Sequence, residues 1–285
     1  MLILTCPFKL QLLEGVLRRS LPQALPVCGV VMHINRGNPV QHEVVVDSWP
    51  EFKAVLTRPC KEAVKDKWDF YANLYATFYR DADACQAMLE DPEAINWSNA
   101  FQLQGIQDGM YEAARNIAES RHVNLKPYLY QTCIHPGPLS SGQSWLKSDF
   151  FQFGTLNPSH ATILNEVWDF GGNSRSLRYL DCLIRAFPSA CLMDKEGQLA
   201  SWCLSDPFAC LAHGYTFPQY RGQGCIGAVL QATSRKLHAS GFPLYCGVLP
   251  ENQPSKQSLK HQDFHILPET YYMLILTPTL LDPKE

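Results

Sequence analysis

The chain has 285 residues, 46% of them apolar, and carries 24 Lys and Arg against 27 Asp and Glu, for a formal net charge of -3. This length gives room for two globular domains of ~150 residues each. The balanced charge argues against nucleic acid or an anionic membrane as the main partner, although local basic pockets stay open. The sequence contains no uninterrupted run of ~18 apolar residues, the length needed to span a bilayer.

The chain contains 11 scattered cysteines without a C-x-x-C pair or a His/Cys cluster. Most of them stand beside apolar residues, where a thiol behaves as a small hydrophobic side chain. We therefore expect reduced cysteines in the core and no metal site.

The first third of the chain predicts one helix followed by three strands. Leu10–Leu21 places leucines on one helical face, and we expect a helix of the first domain there rather than a mitochondrial presequence. Three short β-branched runs, separated by turn residues, predict strands at Val27–Ile34, Glu43–Asp47 and Phe52–Thr57.

Three helical patterns and a strand complete the first domain, at 70–80, 82–90, 99–121 and 126–134. Tyr71, Tyr75 and Tyr79 have helical spacing and predict a core stripe. Breaker residues then concentrate at Pro136–Gly142, where we place the domain boundary. This gives an N-terminal α/β domain over 1–140 and a C-terminal domain over 149–285.

The second half alternates strands and helices more regularly. Strands are predicted at 150–156, 190–193, 199–204, 208–217, 244–249, 264–267 and 271–276, and helices at 159–168, 174–187, 224–239 and 254–262.

The segment His213–Gly227 carries the clearest functional signal. A strand leads into a glycine-rich turn, and a helix follows at once. The N–H groups of a helix N-terminus and the positive end of its dipole suit a pyrophosphate. A glycine before a helix is common, however, so this turn alone also fits a purely structural role.

Arg221-Gly-Gln-Gly224 resembles the pyrophosphate-binding motif of the GNAT acyltransferase superfamily, and the element order from Phe150 to Leu276 is similar to that fold. The motif usually closes with Gly or Ala where this chain has Ile226. The resemblance therefore predicts the motif with a widened or shifted cradle.

A second set of motifs is similar to the glycine N-acyltransferase family over almost the whole chain. The motifs are His33-Ile-Asn-Arg-Gly-Asn-Pro39, Val45-Val-Asp-Ser-Trp-Pro50, Ile95-Asn-Trp97, Trp168-Asp-Phe-Gly-Gly-Asn173 and Phe217-Pro-Gln-Tyr-Arg221. The implied fold is mixed α/β (α+β) in two domains. A smaller GNAT-like α/β domain precedes a C-terminal GNAT domain with a splayed mixed sheet.

The family implies acyl transfer from acyl-CoA to the amino nitrogen of glycine or a related amino acid, without a metal or a permanently bound cofactor. CoA binding is predicted for Thr216, Arg221, Gly222, Gln223, Gly224, Cys225, Ile226, Asn252 and Ser255. The pantetheine arm would pair with the free edge of the strand 208–217, whose N–H could face the thioester carbonyl. The tyrosine expected near Asn252 as an acid for the thiolate is replaced by Leu259, a core residue of the helix.

The resemblance places the family's base glutamate at Cys210. Cys210 and His213 are the predicted catalytic candidates, although each also fits a structural role. His213 would need a strand bulge to face the site. Asp206 would lie ~13 Å upstream along an extended strand and would need a bend. Catalysis without a dedicated base is also open.

The leading hypothesis is an acyl-CoA:glycine N-acyltransferase, with a catalytically weak acyl-CoA sensor or scaffold as the alternative. A thiol hydrolase using Cys210 and His213 is disfavoured, because strand alternation puts them on opposite faces. We expect a monomer without a transmembrane segment or a nucleic-acid partner. The family suggests mitochondria, with cytoplasm or endoplasmic reticulum as alternative compartments.

Overall fold

The structure is a computed structural model that describes residues 1–137, 146 and 150–279. The chain forms two compact units. The first contains Met1–Tyr130 and the C-terminal stretch from Glu269, and the second contains Gln131–Pro268. The predicted boundary at 136–142 falls in part on residues outside the described ones and stays a prediction.

Helices and strands alternate along both units, which confirms the mixed α/β class. The strands are β1 Leu2–Leu4, β2 His42–Val46, β3 Ala54–Pro59, β4 Leu74–Tyr79, β5 Phe101–Gly105, β6 Val123–His135, β7 Gln152–Gly154, β8 Ser189–Met193, β9 Leu199–Ser205, β10 Leu211–Thr216, β11 Leu244–Val248 and β12 His265–Pro278. The helices are α1 Pro7–Arg18, α2 Leu25–Ile34, α3 Ala82–Glu90, α4 Asp108–Ser120, α5 Ala161–Val167, α6 Ser174–Ala186, α7 Cys225–Ala239 and α8 Gln253–Lys260.

In the first unit, β1 to β5 lie side by side in chain order, and the C-terminal part of β12 pairs with β5. The pairs are antiparallel except for β4 with β5, which is parallel. Helices α3 and α4 cover the sheet with a core that includes Met88, Leu89, Ile117 and Phe101. The helix predicted from the leucine spacing is α1, whose Leu10, Leu13 and Leu17 are buried.

Three predictions for the first unit are wrong, each because an apolar run was given the wrong period. The predicted strand 27–34 is helix α2, which is buried along almost its whole length and so shows no alternation. The predicted helix 70–80 contains strand β4, with Tyr71 and Tyr75 in the core. The predicted helix 99–121 divides at Gly105 into β5 and α4.

In the second unit, β7 to β10 form an antiparallel sheet in chain order. Helix α7 packs on β8, β9 and β10. Strand β11 pairs instead with the Gln131–His135 part of β6. Strands β10 and β11 contact each other without being neighbours in one hydrogen-bonded sheet.

The strands predicted for the second half of the chain differ clearly from the structure in two places. The strand predicted over 208–217 begins only at Leu211, because residues 206–210 form the turn of the β9–β10 hairpin. The two strands predicted at 264–267 and 271–276 are one continuous strand, β12.

Candidate active site

The loop before α7 is built around two glycines in the left-handed region. Gly222 has φ +77°, and Gly224, the N-cap of α7, has φ +85°. Other residues lose roughly 1–2 kcal/mol in this conformation. A Cβ added at Gly222 would meet nothing within 4 Å, so the backbone angle rather than space favours glycine there.

The N-terminus of α7 has no side-chain cap. The first turn closes with a hydrogen bond from Ala228 N to Gly224 O at 3.1 Å. The N–H groups of residues 225–227 therefore point out of the helix at the positive end of its dipole. Cys225 is only 2% exposed, so its backbone rather than its thiol would meet a ligand. This terminus suits an anion such as a pyrophosphate.

Ile226, the departure from the usual motif, packs against β10. Its Cδ1 lies 3.3 Å from the position that a Cβ would take on Gly214. The side chain thus fills space that the strand leaves free at a glycine. This contact directs its bulk toward the strand.

Polar contacts fix the approach to the loop. The Tyr220 hydroxyl donates to Asp194 Oδ2 at 2.5 Å, which ties the loop to the β8–β9 turn. Arg221 Nε donates to the carbonyl oxygen of Thr216 at 3.1 Å. The Thr216 hydroxyl lies 2.7 Å from that of Ser201, so it is already engaged within the sheet.

Strand β10 contains the bulge that His213 needs. Ala212 pairs with Leu204 but Tyr215 pairs with Trp202, so β10 has one extra residue in this interval. His213 has φ +53°, a conformation that is uncommon for residues other than glycine. The bulge interrupts strand alternation, so the argument that Cys210 and His213 must lie on opposite faces does not hold.

His213 is half-buried and packs against aromatic rings. Its ring centroid is 4.6 Å from that of Trp168 and 6.1 Å from that of Tyr179. Burial lowers the pKa of His213 to about 4. The imidazole is therefore neutral at physiological pH and a weak proton acceptor.

Cys210 is 7% exposed and ends the β9–β10 turn. Burial, with a smaller contribution from the nearby Asp206 carboxylate, raises the pKa of the Cys210 thiol well above its usual value. A backbone hydrogen bond from Gly247 of β11 acts in the opposite direction and is outweighed. The group is therefore a neutral thiol, a poor base and a poor nucleophile.

Asp206 lies directly beside Cys210, and the ~13 Å separation expected for an extended strand is wrong. Asp206 N donates to Cys210 O at 3.1 Å, and Ala209, with φ +59°, turns the chain back. Asp206 Oδ1 accepts the N–H groups of Phe208 and Cys210, both at 2.9 Å. The residue is 8% exposed, and burial raises the pKa of its carboxyl from 3.8 to about 7.

Tyr179 on α6 connects these groups. Burial raises the pKa of its phenol well above the usual value, and the Asp206 carboxylate raises it further. The same ring lies near His213. Tyr179 thus lies near His213 and within electrostatic reach of Asp206, which adjoins Cys210.

Sequence reasoning gave no role to Trp168 or Tyr179 and placed Asp206 too far away. Trp168 begins the family motif at residues 168–173, and this motif was the signal that could have pointed to a role for it. The loop after it turns tightly, since a Cβ on Gly171 would come within 2.2 Å of the carbonyl oxygen of Asn165. Asn165 Oδ1 also accepts the Gly172 N–H and the Ser176 hydroxyl, at 3.1 and 2.6 Å.

The other predicted CoA ligands lie at the start of α8. Asn252 caps this helix, and its Oδ1 accepts the N–H of Ser255 at 3.1 Å. Leu259 is 6% exposed, as expected of a helix core residue. Helices α7 and α8 pack against each other. The roles of all these residues in CoA binding stay predictions.

Over residues 1–137, 146 and 150–279, no group of three or more His, Cys, Asp or Glu side chains is placed to hold a metal ion. Nor does any helix within these ranges have the length and apolar character needed to cross a bilayer.

Comparison with solved structures identifies the fold. A Drosophila protein from a structural genomics programme superposes with a TM-score of 0.76 at 15% identity, covering 97% of this chain and 98% of that one. A GCN5-related N-acetyltransferase from Kribbella flavida gives a TM-score of 0.53 at 10% identity, covering 88% and 95%. The predicted GNAT fold is confirmed.

Sequence comparison identifies the family. The family described as aralkyl acyl-CoA:amino acid N-acyltransferase matches residues 1–188. The C-terminal region of the same family matches residues 190–278. Glycine N-acyltransferase of Bos taurus is 36% identical over 88% of this chain and 92% of its own length. Glycine N-phenylacetyltransferase of Bos taurus is 35% identical over 91% and 93%, and human glycine N-acyltransferase is 34% identical over 86% and 88%. The chain therefore belongs to the aralkyl acyl-CoA:amino acid N-acyltransferase family.

Proposed function

We propose that this protein transfers an acyl group from acyl-CoA to the amino nitrogen of glycine. The amine attacks the thioester carbonyl, the carbon–sulfur bond breaks, and N-acylglycine and CoA leave. The observation that carries the proposal is the order of elements in the second unit. A bulged strand with a free edge, β10, leads through the Gly222–Gly224 loop into the uncapped N-terminus of α7. The relatives described above are named as glycine N-acyltransferases or as a glycine N-phenylacetyltransferase, and these names denote acyl transfer to glycine.

Acyl-CoA would lie along β10 with its pyrophosphate at α7. The N–H groups of residues 225–227 and the loop backbone at 221–224 are the donors for the phosphate oxygens. The bond from Tyr220 to Asp194 holds the loop before the ligand arrives, which reduces the ordering cost of binding. Asn252 and Ser255 are proposed to contact the CoA arm from α8.

The separation of β10 from β11 gives the pantetheine arm a place to pair. Because the two strands contact each other without sharing a hydrogen-bonded sheet, the β10 edge toward β11 offers backbone donors and acceptors. Near the bulge at His213, a backbone N–H can stabilise the oxyanion as the amine attacks. The departing CoA thiolate would take its proton from water.

Asp206 is the proposed acceptor of the ammonium proton. It lies beside Cys210, where the family resemblance places the glutamate, and the N–H groups of Phe208 and Cys210 both donate to Oδ1. Oδ2 is thus the oxygen that would take the proton. A carboxyl with a pKa of about 7 is matched to work near neutral pH. Cys210 would line the site as a neutral thiol, and His213 is the alternative acceptor.

A second function, acyl-CoA binding with weak catalysis, is favoured by one observation. Cys210, to which the family resemblance assigns the position of the base glutamate, carries a buried, neutral thiol. The same observation argues against a thiol hydrolase, which requires a thiolate. Mass-spectrometric detection of N-acylglycine and free CoA, with and without glycine, separates the three.

Product that depends on glycine supports transfer, and CoA release without glycine supports hydrolysis. Thermal stabilisation by CoA without any product supports a binding protein and refutes the transferase.

We further propose a monomeric enzyme of amino-acid conjugation in mitochondria. Sedimentation and cell fractionation test these two points.

A further inference from the structure

Exposed apolar side chains concentrate at the start of the chain. Within the described residues, seven large apolar side chains are strongly exposed, and five of them belong to the first twelve residues. These five form what we call the N-terminal patch: Met1 46%, Leu2 49%, Ile3 48%, Phe8 67% and Leu12 48% exposed. An apolar group of this size on a surface usually marks an interaction site.

The patch is held on two ordered elements. Leu2 and Ile3 belong to β1, an edge strand that pairs with β2. Phe8 and Leu12 stand one turn apart on α1, while Leu10, Leu13 and Leu17 of the same helix are buried and fix it to the unit. From the buried Leu4 to Phe8 the chain can span at most roughly 14 Å. The start of α1 therefore lies within this distance of β1. Leu2 and Ile3 alternate across the strand, so only one of them can share the side of Phe8 and Leu12.

The charges beside the patch are positive. Lys9 follows Phe8 in the sequence. Arg19 lies about three helical turns after Phe8, on the helical stripe that carries Phe8 and Leu12. Nη1 of Arg19 comes within 3.9 Å of the Cβ position at Gly15, so the guanidinium folds back toward Leu12. Glu14, the only carboxylate in the first 42 residues, is bound by Arg18 and Arg36 at 3.0 and 3.1 Å.

Two further acidic groups lie near β1: Glu43, which Arg58 binds at 2.7 Å, and Asp47. Leu2 pairs with Val46, and Asp47 follows in the chain. Asp47 Oδ1 accepts the N–H groups of Lys53 and Ala54, at 2.8 and 2.9 Å. This carboxylate keeps its charge but is oriented into its own turn, whereas Lys9 and Arg19 are the charged residues on the helix segment that carries Phe8 and Leu12.

We propose that the N-terminal patch docks the protein on an anionic lipid surface. Phe8 and Leu12, together with one of Leu2 and Ile3, would enter the boundary between headgroups and acyl chains, while Lys9 and Arg19 remain at the level of the phosphates. Apolar side chains flanked by cations are the combination that peripheral membrane binding uses. This would be reversible attachment to one leaflet.

The same charges disfavour a second copy of the chain on this surface. A two-fold dimer places equal patches face to face. Lys9 and Arg19 would then approach their own counterparts, and juxtaposed like charges oppose association. An anionic bilayer removes that repulsion and adds attraction.

Co-sedimentation of the full chain with vesicles tests the proposal. Binding is expected to phosphatidylcholine vesicles containing phosphatidylserine, to weaken with salt, and to be at least severalfold lower on phosphatidylcholine alone. The partition coefficient of the Phe8→Ser/Leu12→Ser variant onto these vesicles should fall by about tenfold or more. Lys9→Gln/Arg19→Gln should lose about fivefold per cation.

Phe153→Ser and Leu129→Ser are matched controls, because these side chains are 56% and 45% exposed outside the patch. They should bind vesicles as the parent does. Circular dichroism should show all variants folded, since only exposed side chains change. The proposal is overturned if the parent does not bind the anionic vesicles, or if the patch and control variants behave alike. A dimer in solution that Phe8→Ser/Leu12→Ser dissolves would also overturn it in favour of a second copy.

Discussion

Substituting Asp206 by Asn should remove activity and at the same time stabilise the protein above neutral pH. Asn keeps an oxygen for the N–H groups of Phe208 and Cys210, so the turn should survive. It has no carboxylate to accept the amine proton, and losing a general base costs ~100- to 10,000-fold in rate. The parent's rate at saturating glycine should rise with pH through a break near 7, the pKa of this carboxyl. The variant should lack that break.

The stability effect follows from the same pKa. Burial raises the pKa of the Asp206 carboxyl from 3.8 to about 7, so the folded state holds this proton more tightly than the unfolded state. The group's contribution is most favourable below pH ~4 and is lost as pH rises through the folded pKa near 7. At ~1.4 kcal/mol per pH unit, the loss is roughly 4 kcal/mol as an upper limit. The amide introduced by Asp206→Asn does not ionise, so the variant avoids this loss.

Urea denaturation of both proteins at a series of pH values measures this difference. The free energy of unfolding should be similar near pH 4 and increasingly higher in Asp206→Asn up to pH 8. Other titrating groups are shared and cancel in the comparison. Parallel stability curves, together with an unchanged rate profile, would show that Asp206 neither carries the raised pKa nor accepts the proton.

Three further substitutions address the rest of the site. Cys210→Glu should raise transfer about tenfold and shift its pH optimum, because it places a carboxylate where the family resemblance predicts the base glutamate; an unchanged rate would remove Cys210 from the site. Gly224→Ala should raise KM for acyl-CoA severalfold with little effect on kcat, since φ +85° strains alanine by ~1–2 kcal/mol at the pyrophosphate loop. His213→Gln should keep the rate profile between pH 5 and 8, because the imidazole, with a pKa of about 4, stays neutral there; a lost break near neutral pH would instead make His213 the proton acceptor.

Elements with a strong local signal could be predicted from the sequence. Helix α7 and its loop follow from glycines that permit positive φ before an apolar helical repeat, and α3 runs over the predicted 82–90. Helix α2 could not be recognised in this way. It is buried on almost every side, and a short, continuously apolar run looks the same whether it forms a strand or a helix.

The site itself depends on two conformations that the sequence does not signal. Ala209 and His213 both adopt positive φ, at +59° and +53°, a region that only a few per cent of residues other than glycine occupy. The first closes the turn that brings Asp206 against Cys210, and the second makes the bulge that frees His213 from strand alternation. Tertiary packing determines both, so propensity predicted an extended strand with Asp206 far from the site.

The groups proposed for CoA binding and for proton transfer stand at opposite ends of β10. Arg221–Ile226 follow its C-terminal end and act through backbone N–H groups and glycine angles. Asp206 and Cys210 precede its N-terminal end, in the hairpin turn. A substitution in the turn therefore leaves the pyrophosphate loop intact. Stabilisation by CoA would persist even in a chain that transfers nothing, so only the formation of N-acylglycine can distinguish an enzyme from an acyl-CoA-binding relative.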